Sequence, residues 1–358
     1  MVKLEELLYE AYKMGASDLH ISVGIPPIIR MHGHLKPFPN HSTPLSHDDV
    51  VNWLDTLMEE KGAGVRLSSM EKKELDFSFG IQNEVRVRSN VYFERGAPAA
   101  AFRLIPRRIK TLEELGLPPV LKEFCKHDRG FVLVVGPTGS GKSTTLAAML
   151  DLINSTRPVH IMTIEDPIEY VHDNKMAIIH QREVGQDTDS FYNGLKYALR
   201  QDPDVILVGE MRDLETMELA LTAAETGHLV FATVHTNSAP GTPERIVGVF
   251  PAHQQNQIAV QLANTLVGVV YQRLIPRADG NGRIAVLEIM IANSAIKNLI
   301  REMKFHQIES IMQASGRIGM VTFDDALYDV YRRGLISKED LTLYARNPDQ
   351  ILRRVGGL

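Results

Sequence analysis

The chain has 358 residues, a length at which two compact domains are expected. Hydrophobic residues make up 44% and charged residues 23%, which is ordinary globular usage and excludes a collagen, a coiled coil or a disordered chain. The formal net charge of −5 has the wrong sign for a protein that binds nucleic acid through its phosphates, so we expect no nucleic-acid partner.

The cellular compartment is also indicated by composition. No apolar run reaches the roughly 20 residues that a membrane helix needs, so we expect no transmembrane segment. The one cysteine, Cys125, can form neither an internal disulfide nor a multi-cysteine zinc site. These observations predict a cytoplasmic protein.

Residues 1–108 predict a small α+β domain. The chain starts with an amphipathic helix pattern, and short alternating segments such as LHISVG and EVRVRSNVYF follow, separated by turn signals. Several arginines, Arg88 and Arg103 among them, cluster near the end of this domain although the chain as a whole is acidic. The prolines and glycine of IPRRIKTLEELGLPPVL then predict an interdomain linker at 109–118.

Residues 119–358 predict a doubly wound α/β domain with a helical C-terminal region. Continuous apolar runs, typical of strands buried on both faces, alternate with helical stretches and lie at 131–135, 159–164, 205–209, 229–234 and 284–290. From Ser294 onwards the pattern is helical, with Ser337 as the expected N-cap of one helix.

A phosphate-binding loop follows the first of these strands. The pattern G-x-x-x-x-G-K-S, followed by a helix, is occupied by Gly136, Pro137, Thr138, Gly139, Ser140, Gly141, Lys142 and Ser143, with Thr144 next in the helix. Glycines free the backbone N–H groups to face phosphates, the lysine reaches the β and γ oxygens, and the serine hydroxyl can bind Mg²⁺. The loop therefore predicts ATP or GTP together with Mg²⁺ as ligands.

Two acidic segments follow later strands. Glu210 comes directly after the run VILVG and is our candidate general base, while Gly209 occupies the position where the usual Walker B pattern has an aspartate. Glu165 and Glu169 flank Pro167, which predicts a turn that aims carboxylates towards Ser143. From spacing alone, these carboxylates fit a Mg²⁺ and water shell and a solvated loop equally well.

Two histidines bracket the strand at 229–234. His228 and His235 are an odd number of positions apart, so they lie on opposite faces of an extended strand and a shared metal site is not expected. A strand-end histidine can sense the γ-phosphate, but a hydrogen-bonded core histidine is equally consistent with the sequence.

These blocks, in this order, resemble the ATPases of the secretion superfamily, and most closely the type IV pilus retraction ATPases of the PilT family. The resemblance covers nearly the whole chain and includes SDLHISVGIPPIIRMHGHL at 17–35 and AIKNLIREMKFHQIESIMQ at 295–313. It implies a PAS-like domain at 1–108, a RecA-like ATPase domain with C-terminal helices at 119–358, and a homo-hexameric ring. The implied function is Mg²⁺-dependent ATP hydrolysis that drives pilus disassembly and twitching motility.

The resemblance also implies roles for individual residues. Glu210 is the general base, Glu165 and Glu169 serve the Mg²⁺ and water shell, and Glu169 and Ser143 are the metal ligands. His228 and His235 respond to the nucleotide, and Arg88 and Arg103 reach the phosphates from the N-terminal domain. The implied partners are an inner-membrane pilus platform protein, at the inner face of the cytoplasmic membrane, and in some systems a paralogous retraction ATPase.

The sequence also departs from that family. Pro240, Gly241 and Pro243 stand where the family has a helix-compatible stretch, and they predict a distorted linker. Because the chain has a short N-terminus and no four-cysteine zinc module, we expect retraction rather than pilus assembly. The alternatives are a secretion or conjugation ATPase of the same superfamily, an accessory subunit that works with an active paralogue, and a RecA-like nucleic-acid motor.

Overall fold

The computed structural model describes residues 3–31, 33–61, 64–70, 72–82 and 84–356. The chain divides into two compact units, Met1–Arg108 and Ile109–Leu358. Leu112 and Leu117, in the segment where the sequence suggests a linker, are buried in a core cluster of the second unit. Within the described ranges, no helix combines the length and the apolar character needed to cross a bilayer.

In its described residues, the first unit is an antiparallel sheet with two α-helices. Its six strands are arranged in the order β3-β2-β1-β6-β5-β4. Both helices are amphipathic, and the apolar sides of α1 and α2 contribute leucines to the same core cluster as alternate residues of the strands. The elements are α1 (Leu4–Lys13), β1 (Asp18–Ser22), β2 (Ile28–Met31), β3 (His34–Pro37), α2 (His47–Lys61), β4 (Glu74–Ile81), β5 (Val85–Glu94) and β6 (Ala97–Pro106).

The second unit contains a seven-stranded sheet in the order β13-β12-β7-β11-β10-β8-β9. All neighbouring strands are parallel except β12 and β13, which form an antiparallel pair. The strands are β7 (Gly130–Val135), β8 (His160–Glu165), β9 (Ile178–Glu183), β10 (Val205–Val208), β11 (Leu229–Val234), β12 (Leu266–Pro276) and β13 (Arg283–Ile291). The helices up to β12 are α3 (Val120–Phe124), α4 (Lys142–Thr156), α5 (Phe191–Ala198), α6 (Leu214–Glu225), α7 (Thr242–Val247) and α8 (Ala252–Thr265).

Both faces of this sheet are covered. Every residue of β7 is buried, and successive residues alternate between two core clusters. Phe131, Leu133 and Val135 belong to one cluster, whereas Val132 and Val134 belong to the other. Since a strand turns successive side chains to opposite faces, the two clusters are the two sides of one sheet, as a doubly wound fold requires.

The helical C-terminal region is as the sequence predicts. It comprises α9 (Ser294–Arg301), α10 (Ile308–Ala314), α11 (Phe323–Arg332), α12 (Lys338–Tyr344) and α13 (Pro348–Gly356). The hydroxyl of Ser337 accepts a hydrogen bond of 3.0 Å from the backbone N–H of Asp340, which confirms the expected N-cap of α12. The prediction of a distorted linker at Pro240–Pro243 is wrong, because helix α7 begins there. Pro243 lies in its first turn, where a missing N–H costs no intrahelical hydrogen bond.

An ion pair between a buried carboxylate and a partly exposed arginine joins this helical region to the sheet. Glu288 of β13 is fully buried, and both its carboxylate oxygens accept hydrogen bonds from Arg346, at 2.6 and 2.8 Å. The same carboxylate accepts the backbone N–H of Ala239 at 2.7 Å, and Arg346 donates to the carbonyl oxygen of Asn237 at 2.9 Å. The pair therefore holds the loop that follows β11 against the segment between α12 and α13.

Candidate functional site

The carboxyl ends of four parallel strands meet at one edge of the second unit's sheet. Strands β7, β8, β10 and β11 are parallel, so the segments that follow them lie at the same edge. Open α/β sheets bind ligands at this edge. A cleft of about 280 Å³ lies there and is lined by Thr138, Gly139, Lys142, Ser143, Glu165, Asp166, Pro167, Glu169, Phe191, Gly209, Glu210, Arg212, Thr233 and His235.

The loop between β7 and α4 forms one wall of the cleft. Gly141 stands just before α4 with a φ of 86°, a left-handed conformation that favours glycine, and the 15-residue helix begins at Lys142. The free N–H groups and the dipole at such a helix start attract anions. The ammonium of Lys142 donates to the carbonyl oxygens of Gly136 and Pro137, each at 2.9 Å. Burial lowers the pKa of Lys142, whereas the nearby carboxylates of Glu210 and Glu169 act in the opposite direction.

The carboxylates at the end of β8 and in the turn after it line the cleft too. Glu165 and Glu169, with the turn at Pro167 between them, line the same cleft as Ser143. The structure thus places these carboxylates beside the loop, whereas their spacing in the sequence did not distinguish a metal shell from a solvated loop. Glu165 accepts hydrogen bonds from the hydroxyl of Thr163 at 2.6 Å and from the Gln181 amide at 3.1 Å, and burial raises its pKa.

Glu210 carries its carboxylate into the cleft between two nitrogen-bearing side chains. Arg212 donates to it at 2.7 Å, and Nε2 of His235 lies 3.1 Å from its other oxygen. The hydrogen bond from Arg212 is the main reason that the pKa of Glu210 is below its usual range, with smaller contributions from the charges of Arg212, His235 and Lys142. Glu210 is therefore ionised at neutral pH, as a residue that accepts a hydrogen bond from water must be.

Steric crowding explains the glycine in front of Glu210. A Cβ on Gly209 would lie 3.0 Å from the carbonyl oxygen of Ile164 and 3.2 Å from the Cα of Glu165. The backbone N–H of Gly209 donates to that same carbonyl at 2.8 Å, and its own carbonyl accepts the Thr233 hydroxyl at 2.6 Å. A side chain at this position, such as the aspartate of the usual Walker B pattern, would therefore require these backbone atoms to shift.

The two histidines lie at opposite ends of β11. His235 follows the strand and lines the cleft. His228 precedes the strand, and its Nδ1 lies 2.9 Å from the carbonyl oxygen of Ala223. A strand of 6 residues is about 20 Å long, so within one chain the structure does not bring His228 to the cleft.

Arg88 and Arg103 are brought together within the first unit. They are directly opposite each other on the antiparallel strands β5 and β6. Arg103 donates to Asp18 at 3.2 Å, and the guanidinium of Arg30 lies 3.9 Å from the other oxygen of that carboxylate. Like charges directly opposite each other oppose strand pairing, and Asp18 offsets part of that cost.

The comparisons with known proteins agree with this geometry. The family described as type II/IV secretion system protein matches residues 2–342. The chain belongs to this family. It is 49% identical over 97% of its length to the "Type IV pilus retractation ATPase PilT" of Pseudomonas aeruginosa, 99% of which is covered. It is 41% identical over 98% of its length to the "Type IV pilus ATPase PilU" of the same organism, 90% of which is covered.

A solved structure supports the fold of this secretion-family member. The crystal structure of the pilus retraction motor PilT with bound ADP has a TM-score of 0.88 and 46% identity, and the alignment covers 99% of this chain and 100% of that one. The predicted resemblance, the two-part α/β fold class and the expectation of an ATPase are thereby confirmed.

The sequence alone does not predict several residues of the site. Gln272 of β12 is buried, and its amide contacts both Ser140 and Thr145 around the loop. Tyr170 shares a hydroxyl hydrogen bond of 2.9 Å with Thr144, which joins the carboxylate turn to α4. The one available signal is that the polar Gln272 directly follows the apolar run LVGVVY.

Proposed function

We propose that this chain is a Mg²⁺-dependent ATPase and the motor of type IV pilus retraction. The observation that carries the proposal is the cleft at the carboxyl edge of the sheet, where Lys142 and Ser143 of the loop face Glu210 and the turn from Glu165 to Glu169. These are the groups that phosphoryl transfer to water requires: a phosphate cradle, oxygen ligands for the metal and a carboxylate for the water. The match to pilus retraction proteins over the whole chain supports the cellular role.

The loop from Gly136 to Thr144 is proposed to bind the phosphates. Its backbone N–H groups and the start of α4 supply positive potential, and Lys142 supplies a mobile charge for the β and γ oxygens. The oxygens of Ser143 and Glu169, with Glu165 behind them, fit Mg²⁺, which prefers hard oxygen ligands and keeps several of its own waters. The bound ion would neutralise charge on the phosphates.

Glu210 is proposed to orient the attacking water. Because its pKa is depressed, the carboxylate stays charged and can accept a hydrogen bond from water at neutral pH. His235 contacts the same carboxylate, so its position responds to whatever occupies the cleft. Arg212 holds the second carboxylate oxygen and thereby limits the orientations that Glu210 can adopt.

The wider assembly is part of the proposal. We assign residues 1–108 to a PAS-like domain, 109–118 to a linker whose Leu112 and Leu117 pack into the second unit, and 119–358 to a RecA-like ATPase domain, assembled as a homo-hexamer at the inner face of the cytoplasmic membrane. Arg88 and Arg103 form a cationic pair that suits an anionic phosphate, and Arg103 donates to Asp18 in the structure. We propose that the movement driven by ATP hydrolysis is transmitted to a pilus platform protein. His228 lies outside the cleft of its own chain, so a role for it in responding to nucleotide requires contacts with another subunit.

ATP turnover of the purified protein tests the chemistry. Three variants are compared with wild type: Glu210→Gln, Lys142→Ala and, as a control of the same chemistry, Glu218→Gln on the exposed side of α6. Removal of a general base lowers turnover by about 10²- to 10⁴-fold, so we expect this loss for Glu210→Gln with ATP binding retained. Lys142→Ala should lose tight nucleotide binding, and Glu218→Gln should match wild type. Wild-type turnover by Glu210→Gln would exclude its assignment as the base.

The cellular role is tested by complementing a strain that lacks the gene. Loss of twitching in the deletion strain, restored by wild type but not by Glu210→Gln, is the expected result. Loss of protein secretion or conjugation with normal twitching would instead identify a secretion or conjugation ATPase. Turnover that depends on added DNA would identify a nucleic-acid motor, and ATP binding without turnover would identify an accessory subunit. Light scattering on the same samples should give the mass of a hexamer.

A further inference from the structure

Gln272 is a buried glutamine whose side-chain amide makes hydrogen bonds through both its nitrogen and its oxygen. It is 2% exposed and lies on β12, the strand paired with β7 on the side opposite β11. Its Nε2 donates to the carbonyl oxygen of Ser140 at 2.8 Å, and its Oε1 accepts the hydroxyl of Thr145 at 2.7 Å. A carbonyl oxygen can only accept, so the amide has one possible orientation at this place.

Two glycines of the phosphate-binding loop, Gly136 and Gly141, lie very close to Gln272 of β12. A Cβ on Gly136 would lie 2.4 Å from the backbone oxygen of Gln272, and a Cβ on Gly141 would lie 2.8 Å from its Nε2. Real Cβ atoms do not approach other atoms so closely. The backbone of β12 therefore excludes a side chain at Gly136, and a side chain at Gly141 would displace the Gln272 amide.

The contact with Ser140 has a direct consequence for the next N–H group. In a planar trans peptide the C=O and the N–H point in opposite directions. The Ser140 carbonyl and the Gly141 N–H belong to one such unit, so an amide that holds the carbonyl on one side turns the N–H to the other. The second bond holds Thr145 in the first turn of α4, so Gln272 fixes the loop on both sides of Lys142.

We propose that Gln272 is a positioning residue for the nucleotide, which orients the Ser140–Gly141 peptide so that its N–H faces the phosphates. The inference rests on the proposed function insofar as the ligand is a nucleoside phosphate. Gln272 lines no part of the cleft itself and acts through the loop. Its loss should therefore weaken nucleotide binding more than it lowers turnover at saturation.

The decisive measurement is the Kd for ADP, by calorimetry on the full chain, for Gln272→Leu and Thr145→Val. Two neutral hydrogen bonds are lost in the first variant and one in the second. We expect about 10- to 100-fold weaker binding for Gln272→Leu and about 3- to 10-fold for Thr145→Val. The double variant should bind no more weakly than Gln272→Leu, because both changes break the same contact.

Val270→Ala is the matched control. Val270 lies on the same strand and the same face as Gln272, is buried, and pairs with Val134 rather than with the loop. It should lower the melting temperature and leave the Kd for ADP within about twofold of wild type. If Gln272→Leu and Thr145→Val lower the melting temperature and leave the Kd unchanged, Gln272 is merely structural and the inference is overturned.

This readout is separate from the proposed function. If wild type binds ADP but does not hydrolyse ATP, the motor assignment fails while a weaker Kd in Gln272→Leu still supports the positioning role. If wild type binds no ADP at all, both proposals fall. In an active enzyme, KM should rise with the Kd while kcat falls by less than about fivefold, since Gln272 is hydrogen-bonded to Ser140 and Thr145 whereas Glu210 is held by Arg212 and His235.

Discussion

Gly209→Ala should destabilise the second unit although it adds a single methyl group. The new Cβ would stand 3.0 Å from the carbonyl oxygen of Ile164, 3.2 Å from the Cα of Glu165 and 3.5 Å from the ring of Phe191. Two of these neighbours are backbone atoms of a buried strand, which cannot rotate away. Relief would lengthen the 2.8 Å hydrogen bond from Gly209 to Ile164.

The magnitude follows from three effects. Overpacking of a dense interior costs about 1–3 kcal/mol, and a weakened hydrogen bond adds about 1 kcal/mol. Alanine also lowers the conformational entropy of the unfolded chain relative to glycine, which offsets about 0.4–1 kcal/mol of this destabilisation. The free energy of unfolding should therefore fall by about 2 kcal/mol, which lowers the melting temperature of a unit of this size by about 4–8 °C. Turnover should fall too, because the strained segment carries Glu210.

Far-UV circular dichroism is the suitable probe, because the one tryptophan, Trp53, lies in the first unit and its fluorescence does not report on the second. Gly316→Ala is the control. Gly316 is exposed, has no positive φ, and its Cβ would meet nothing within 4 Å. Equal melting temperatures and equal turnover for the two variants would refute the argument from crowding.

Three further results are expected. Arg212→Gln removes the main cause of the low pKa of Glu210, so that pKa rises, and the loss of kcat/KM on acidification should begin at a higher pH than in wild type. Burial raises the pKa of Cys125 to about 12, so the folded protein at pH 8 holds almost no thiolate; disulfide reagents should label it slowly, and rapidly once urea unfolds the chain. Arg346→Leu leaves the carboxylate of Glu288 buried without its cation and should cost about 3–5 kcal/mol in urea unfolding, whereas Glu288→Leu combined with Arg346→Leu should recover part of that loss.

The sequence is most informative where consecutive residues carry the chemistry. The loop from Gly136 to Ser143 and the strand that precedes it are contiguous, so one motif specifies both the geometry and the ligand. Glu210 and the turn at Pro167 can be predicted because they directly follow apolar strands, and parallel strands bring their carboxyl ends to one edge. These are local signals, and the structure places the residues accordingly.

Contacts between residues far apart in sequence are not predictable in this way. Gln272 and Ser140 are separated by 132 positions, and Glu288 and Arg346 by 58, so only the sheet order brings the partners together. The helix that contains Pro243 is hard to predict for a different reason. Proline disrupts the interior of a helix but is tolerated in its first turn. The assignment depends on where the helix starts, which composition does not specify.

The two carbonyl groups that accept hydrogen bonds from Lys142 affect how readily the proposed ATPase releases its nucleotide. An ammonium that donates to Gly136 and Pro137 gives up those bonds when it takes up a phosphate oxygen, so the net gain is the difference between two sets of hydrogen bonds. After hydrolysis the lysine can return to the same carbonyls, which compensates for the lost contact. For the proposed motor, this exchange of hydrogen bonds would lower the cost of releasing the spent nucleotide, a step on which each new cycle depends.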